Sequence, residues 1–297
     1  MIPELLTGEP TLVVERINEL PTLPEIYHRL SLTIDEPFSS LWEIERIVRQ
    51  DPTITARILH IVNSPLYTLR SPVSTVAEAI RTMGYDTLKQ VILTTSVIDL
   101  FSEEAKSSLS LIAFWEHCLG VASAARQLAL WVGEEHPEEF FVAGLLHDIG
   151  KLIHNQYAFE KFQKALALAA TERLTLEAAE REIFGFSHNQ TGGFLVHRWG
   201  LSPTIQRAIA YHHSPSVPNS LSPTLHEHLV HCADLISIGL GLGFSGSYRF
   251  PTFVPLSWEV LRLSSGHLSE ILKTTTHEVA QMMAIFFDDY AERRYQH

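Results

Sequence analysis

Two cysteines, Cys118 and Cys232, are all that 297 residues contain. That scarcity excludes a disulfide framework and fits a reducing compartment. Long hydrophobic runs are missing too: nowhere do about 18 apolar residues follow one another, which argues against a membrane-spanning helix. The start, Met1-Ile2-Pro3-Glu4-Leu5-Leu6, has no basic segment ahead of an apolar stretch, so no secretory leader is expected. Positive charge is in short supply. Against 34 acidic residues stand 22 basic ones, a balance of −12 with histidine neutral, which argues against general affinity for nucleic acid phosphates. Repeats, low-complexity tracts and long charged blocks are also lacking. These absences together predict a cytoplasmic globular protein.

With 45% apolar residues there is core material for one large domain or two smaller ones. Apolar positions recur at spacings of three and four rather than two, and the breaks carry capping signals, which predicts an all-α fold, a multi-helix bundle. Asp51-Pro52 offers an N-cap with Pro at N1 for a helix ending at Asn63-Ser64-Pro65. Ser74 or Thr75 caps a run stopped by Gly84, and Asp86 can cap the next, from Thr87 to about Phe101. The small and polar stretch Phe101–Ser110 reads as a joint, with a boundary near 105. Helices are expected over Phe114–Trp131 and Pro137–Ile149, with Gly150 following, and after Ser202-Pro203, Ser222-Pro223 and Ser257. The expected division is 1–105, 106–240 and a helical extension 241–297, in which His267–Arg294 supplies one or two helices. Gly239–Gly246 follows a helix, not a strand, and has no Gly-Lys-Ser/Thr ending, so it reads as a flexible connector rather than a phosphate loop.

What the chain has in abundance is histidine with carboxylate in apolar settings. His147-Asp148 ends an apolar run; His117 lies 30 residues before His147, His188 40 after Asp148, His212 and His213 24 further on, and Asp234 21 beyond. Unpartnered burial of such groups is costly. Imidazole and carboxylate suit first-row ions, and seven donors exceed one tetrahedral site, so two metals are expected, with iron or manganese placed ahead of zinc or magnesium. Each residue also has a plainer role. His147 can cap helix carbonyls, Asp148 can pair with Lys151 one turn on, and His188 can begin a helix whose N-cap is Ser187. His212 and His213 point about 100° apart on a helix, so they are expected to serve two ions, or one ion and a phosphate. Lys151 and His213 are the candidate catalytic groups, Lys151 holding a phosphate oxygen. Of the other histidines, His231 stands out because it precedes Asp234 by three. Cys118 and Cys232 read as small buried hydrophobes.

Leu146-His147-Asp148-Ile149-Gly150-Lys151 resembles the signature of the HD superfamily of metal-dependent phosphohydrolases. Leu20–Pro24, Ile47–Leu59, Val62–Pro65 and Val76–Gly84 resemble, in order, the motifs of the HDOD family, over residues 17 to about 215. The resemblance implies an all-helical bacterial signalling module whose partners are response-regulator or cyclic di-GMP proteins. His117, His147, Asp148, Lys151, His188, His212, His213 and Asp234 also align in order with the ligand series of the related HD-GYP phosphodiesterases. His212-His213-Ser214-Pro215 departs from that group, which has glutamate after the pair and a later Gly-Tyr-Pro, so cyclic di-GMP hydrolysis is not implied. The leading expectation is therefore a regulatory protein that binds metal, with phosphoester or nucleotide hydrolysis as the alternative and di-iron oxygen chemistry a third class.

Overall fold

Residues 20–64, 69, 71–101, 108–215, 225–244 and 246–287 are described by a computed structural model, and among them there are helices and no strand. The all-α expectation is met. The chain forms two compact units, one of Pro21–Glu103 with the chain from His277, the other of Glu104–Thr276 with the residues up to Leu20. Of the expected extension 241–297, the part up to Thr276 groups with the second unit and the part from His277 with the first. Ile285 and Phe286 pack against the apolar core of the first unit.

That first unit contains α1 (Glu25–Asp35), α2 (Leu41–Val48), α3 (Pro52–Val62) and α4 (Val76–Leu100). Their starts follow local chemistry. Asp51 accepts from the N–H groups of Thr53 and Ile54 ahead of α3, and Thr75 forms a capping box with Glu78 at α4. Gly84, at φ 80°, breaks the helical path inside α4, where the sequence predicted a stop; the left-handed φ is cheap only for glycine. Leu30, Ile44, Ile58 and Ile92 form the centre of this unit's core.

The second unit holds α5 (Leu111–Val132), α6 (Pro137–Leu146), α7 (Ile149–Tyr157), α8 (Phe159–Glu172), α9 (Leu176–Phe184), α10 (His188–Arg198), α11 (Pro203–Tyr211), α12 (Leu225–Gly239) and α13 (Pro255–Leu261). α14 (Ser265–Phe286) begins in it. Helix α5 is buried along most of its length and packs against α6 and α12, while α10 packs against α7 and α11.

Three expectations change here. The predicted helix Pro137–Ile149 ends at Leu146, and His147 and Asp148 form the joint between α6 and α7, because Asp148 takes φ −102°, ψ 6°. Gly150 lies inside α7 and stops nothing. Ser257 lies within α13 rather than capping it, and its hydroxyl meets His228 Nδ1 at 2.7 Å. The predicted start Ser222-Pro223 lies outside the described residues. In the glycine stretch, Gly243 (φ 62°) lies so close to α5 that a Cβ there would come within 2.0 Å of the Ala113 carbonyl oxygen; the Phe244 N–H donates to that same oxygen.

Candidate metal centre

Five elements of the second unit deliver the seven expected donors to one interior. α5 carries His117, the α6–α7 joint His147 and Asp148, α10 His188, the end of α11 His212 and His213, and α12 Asp234. All are buried except His213, which is partly exposed. Two groups of potential ligand atoms result, each within 4.8 Å: His117, His147 and Asp148 in one, Asp148, His188, His212 and His213 in the other. Asp148 belongs to both. Its Oδ2 lies 3.3 Å from His147 Nε2 and 3.8 Å from His117 Nε2, its Oδ1 3.1 Å from His188 Nε2 and 3.8 Å from His212 Nε2. Asp234 Oδ1 lies beside two members of the first group, 3.2 Å from His117 Nε2 and 3.9 Å from His147 Nε2.

His212 and His213 differ from expectation: both serve the same group. Helix α11 ends at Tyr211, so His213 falls in the turn beyond it, where the 100° offset between helical neighbours no longer holds. Their ring centroids are 3.9 Å apart, and His213 Nε2 lies 3.0 Å from His188 Nε2.

The outward nitrogens explain why the Nε2 atoms face inward. Nδ1 of His147 donates to the Gly144 carbonyl at 2.8 Å and Nδ1 of His212 to the Ile209 carbonyl at 2.7 Å. Nδ1 of His188 faces the Glu180 carboxylate, and Nδ1 of His117 faces the Ser237 hydroxyl, which itself donates to the His117 carbonyl. An imidazole that spends its Nδ1–H outward presents a lone pair at Nε2, the form a metal takes. The plainer roles foreseen for these residues are therefore present together with the ligand arrangement: His147 does cap a carbonyl, Ser187 forms a capping box with Gln190, and Lys151 Nζ lies 2.5 Å from Asp148 Oδ2.

Three buried atoms of this interior, His117 Nε2, Asp148 Oδ1 and His212 Nε2, have no hydrogen-bond partner. Leaving such a group unpaired costs about 1–3 kcal/mol, and an ion would satisfy all three. Separations near 3 Å between donors are also what two ligands at right angles, each about 2.1 Å from one ion, would show. The residues thus fit a metal.

Electrostatics favours the ligand forms. Burial works against ionising Asp148, but the neighbouring His147 and Lys151 outweigh it and hold the carboxyl well below the usual range. Asp234, also opposed by burial, is brought to about 2 by His117 and His147. Burial, with His147 beside it, drops His212 to about 3, and burial with His212 holds His213 well below its ordinary value. His188 goes the other way: the Glu180 carboxylate overcomes the burial penalty and lifts it to about 9.

His212 gives a pH dependence of definite sign in metal-free protein. Its folded pKa of about 3 lies below the ordinary 6.5, so between those values only the unfolded chain takes the proton. Its contribution is whole above pH 6.5 and is lost as pH falls towards 3, at about 1.4 kcal/mol per pH unit. Urea midpoints of chelated protein should decline from pH 6.5 to 4.5, and His212→Gln should flatten that slope. An equal slope in the variant would contradict the burial of a neutral His212.

A family model for the HDOD domain matches residues 20–215. The chain belongs to the HDOD family. An HDOD domain protein of unknown function from Geobacter sulfurreducens is 31% identical, with 97% of this chain and all of that one covered and a TM-score of 0.81. The structure of a candidate phosphohydrolase from Shewanella amazonensis SB2B is 21% identical, covering 92% of this chain and 97% of that one, with a TM-score of 0.73; at that identity it shares the fold. An uncharacterized Treponema pallidum (strain Nichols) protein is 22% identical over 218 residues, 72% of this HDOD chain. The match spans 41% of that relative's length.

Reading the HDOD sequence alone missed Glu180, the residue behind His188. It lies on α9, a helix outside the segments taken up there, and the available signal was an acidic residue on the apolar side of that helix. His231, singled out for its spacing, is not a donor; its Nδ1–H donates to the His212 carbonyl at 2.7 Å and steadies the end of α11. Burial pushes the Cys118 thiol up, with Asp148 adding to it, and carries Cys232 to about 12, so both stay protonated as small buried groups. No helix among the described residues is long and apolar enough to cross a membrane.

Proposed function

We propose that this HDOD protein is a cytoplasmic signalling module whose interior binds two divalent ions, iron or manganese, with Asp148 common to both. His117, His147 and Asp234 hold the first, and His188, His212 and His213 the second. The single observation that carries the reading is the Asp148 carboxylate, whose two oxygens face two different sets of imidazoles. Its output is contact with response-regulator or cyclic di-GMP proteins, the class of partner that the family resemblance implies. Elemental analysis of protein purified without chelators is expected to find close to two equivalents of iron or manganese. Metal-free protein that stays folded and refuses reconstitution would overturn the proposal.

A second reading, metal-dependent hydrolysis of a nucleotide or other phosphoester, is favoured by one observation: Lys151 is buried against Asp148, and a lysine there would hold a phosphate oxygen. His213, the partly exposed imidazole of the set, is the second candidate to assist at the phosphate. Two divalent ions supply polarisation of the phosphoester and activation of water. Nucleotides and cyclic dinucleotides incubated with iron- or manganese-loaded protein test it. Turnover near 1 per second that disappears in His147→Ala supports the enzyme, and no turnover on any of them leaves the regulatory reading standing.

A further inference from the structure

Glu180 is wholly buried on α9 and belongs to neither group of donors. Both of its oxygens are nonetheless committed. Oε2 accepts from the backbone N–H of His188 at 2.8 Å and from its Nδ1 at 2.5 Å, while Oε1 faces His154 Nδ1 at 3.0 Å. The chain of contacts continues: His154 Nε2 meets Thr191 Oγ1 at 2.8 Å, and the His154 ring stacks on Phe184 with centroids 4.6 Å apart.

This support is one-sided. Of the four donor imidazoles with an identified Nδ1 partner, three use a neutral one, the carbonyls of Gly144 and Ile209 and the hydroxyl of Ser237. His188 uses a carboxylate. A carboxylate accepting Nδ1–H draws that proton towards itself and leaves Nε2 the stronger donor, whereas a carbonyl or hydroxyl does so less. The same oxygen also grips the backbone of His188, so ring and main chain are oriented by one group at the first turn of α10. The added negative charge faces the group that otherwise owns only a share of Asp148, while the other group has Asp234 to itself.

We infer that Glu180 is a positioning residue for one metal position alone: through His188 it sets the affinity of the position formed by Asp148, His188, His212 and His213, and leaves the His117–His147 position unaffected. The inference rests on the two-ion reading above.

The test uses Mn2+ as the probe, with chelator competition for affinity and electron paramagnetic resonance to tell paired from isolated ions. In the parent, two ions and a coupled signal are expected. In Glu180→Gln, which keeps the shape and removes the charge, one ion should bind as in the parent and the other about 10- to 100-fold more weakly, so that an isolated Mn2+ signal replaces the coupled one. Melting of the metal-free forms separates this from a general loss of structure. Nitrogen-15 histidine spectra of unaltered zinc-loaded protein supply a reading that needs no variant: His188 is expected protonated at Nδ1, with its N–H far downfield, and bare at Nε2. A proton on His188 Nε2 in that spectrum, or two ions in Glu180→Gln weakened equally or not at all, overturns the inference while the two-ion reading stands. A parent that binds fewer than two ions overturns both.

Discussion

Asp148→Asn is expected to strip both ions from a protein that His147→Ala and His212→Ala would each leave with one. Asp148 lies within 4 Å of Nε2 atoms in both groups through different oxygens, so the amide withdraws an anionic donor from two positions at once. Each imidazole belongs to one group only. On the two-ion reading the effect on stability follows by mass action, because ions held by the folded chain and not by the unfolded one stabilise it. One ion at 100 times its dissociation constant adds about 2.7 kcal/mol, so chelating two removes about 5 kcal/mol, a melting decrease of about 10–20 °C. The variant goes further in metal-free form, since Lys151 then stays buried without its carboxylate, and breaking such a pair costs about 3–5 kcal/mol. Elemental analysis with thermal melting, with and without chelator, checks each part. An ion retained by Asp148→Asn would mean that the carboxylate is not shared.

The second large effect is expected at a residue with no side chain. A Cβ on Gly150 would come within 2.0 Å of the His188 carbonyl oxygen and 2.9 Å of the Gly192 amide nitrogen, so α7 and α10 touch backbone to backbone there. Neither neighbour is a flexible side-chain tip that can swing away. Gly150→Ala must therefore push the two helices apart, at a cost of about 3 kcal/mol or more and a melting temperature lower by about 6–12 °C. The same displacement acts on the centre, because Asp148 immediately precedes α7 and His188 opens α10, with 3.1 Å between Oδ1 and Nε2. Loss of one ion in parallel with the melting decrease is expected. Melting and metal content equal to the parent would show that the helices do not meet at Gly150.

Much of the helix plan was legible because its signals are local. Asp51-Pro52 and the caps offered at Ser74 or Thr75 act within three residues of where they stand; α3 begins at Pro52 as predicted, and the structure chooses Thr75 for α4. The readings that missed were those in which a local signal competes with packing. Gly150 looked like a helix stop and is instead a close-contact residue, and the apolar run through Ile149 looked continuous but breaks at His147-Asp148. His212 and His213 were assigned by helical geometry to different directions, and the helix ends one residue before them.

The sequence by itself determined the helical class and singled out the seven His and Asp residues that meet in one interior, since apolar spacing and unpaired His and Asp in apolar settings are properties of short stretches. Only the tertiary structure decided how those donors divide into two groups, that Asp148 is common to both, and that Glu180 stands behind His188. Those facts depend on how α5, α7, α9, α10, α11 and α12 pack, across separations as long as that from His117 to Asp234, and no spacing along the chain encodes a distance of 3 Å between helices.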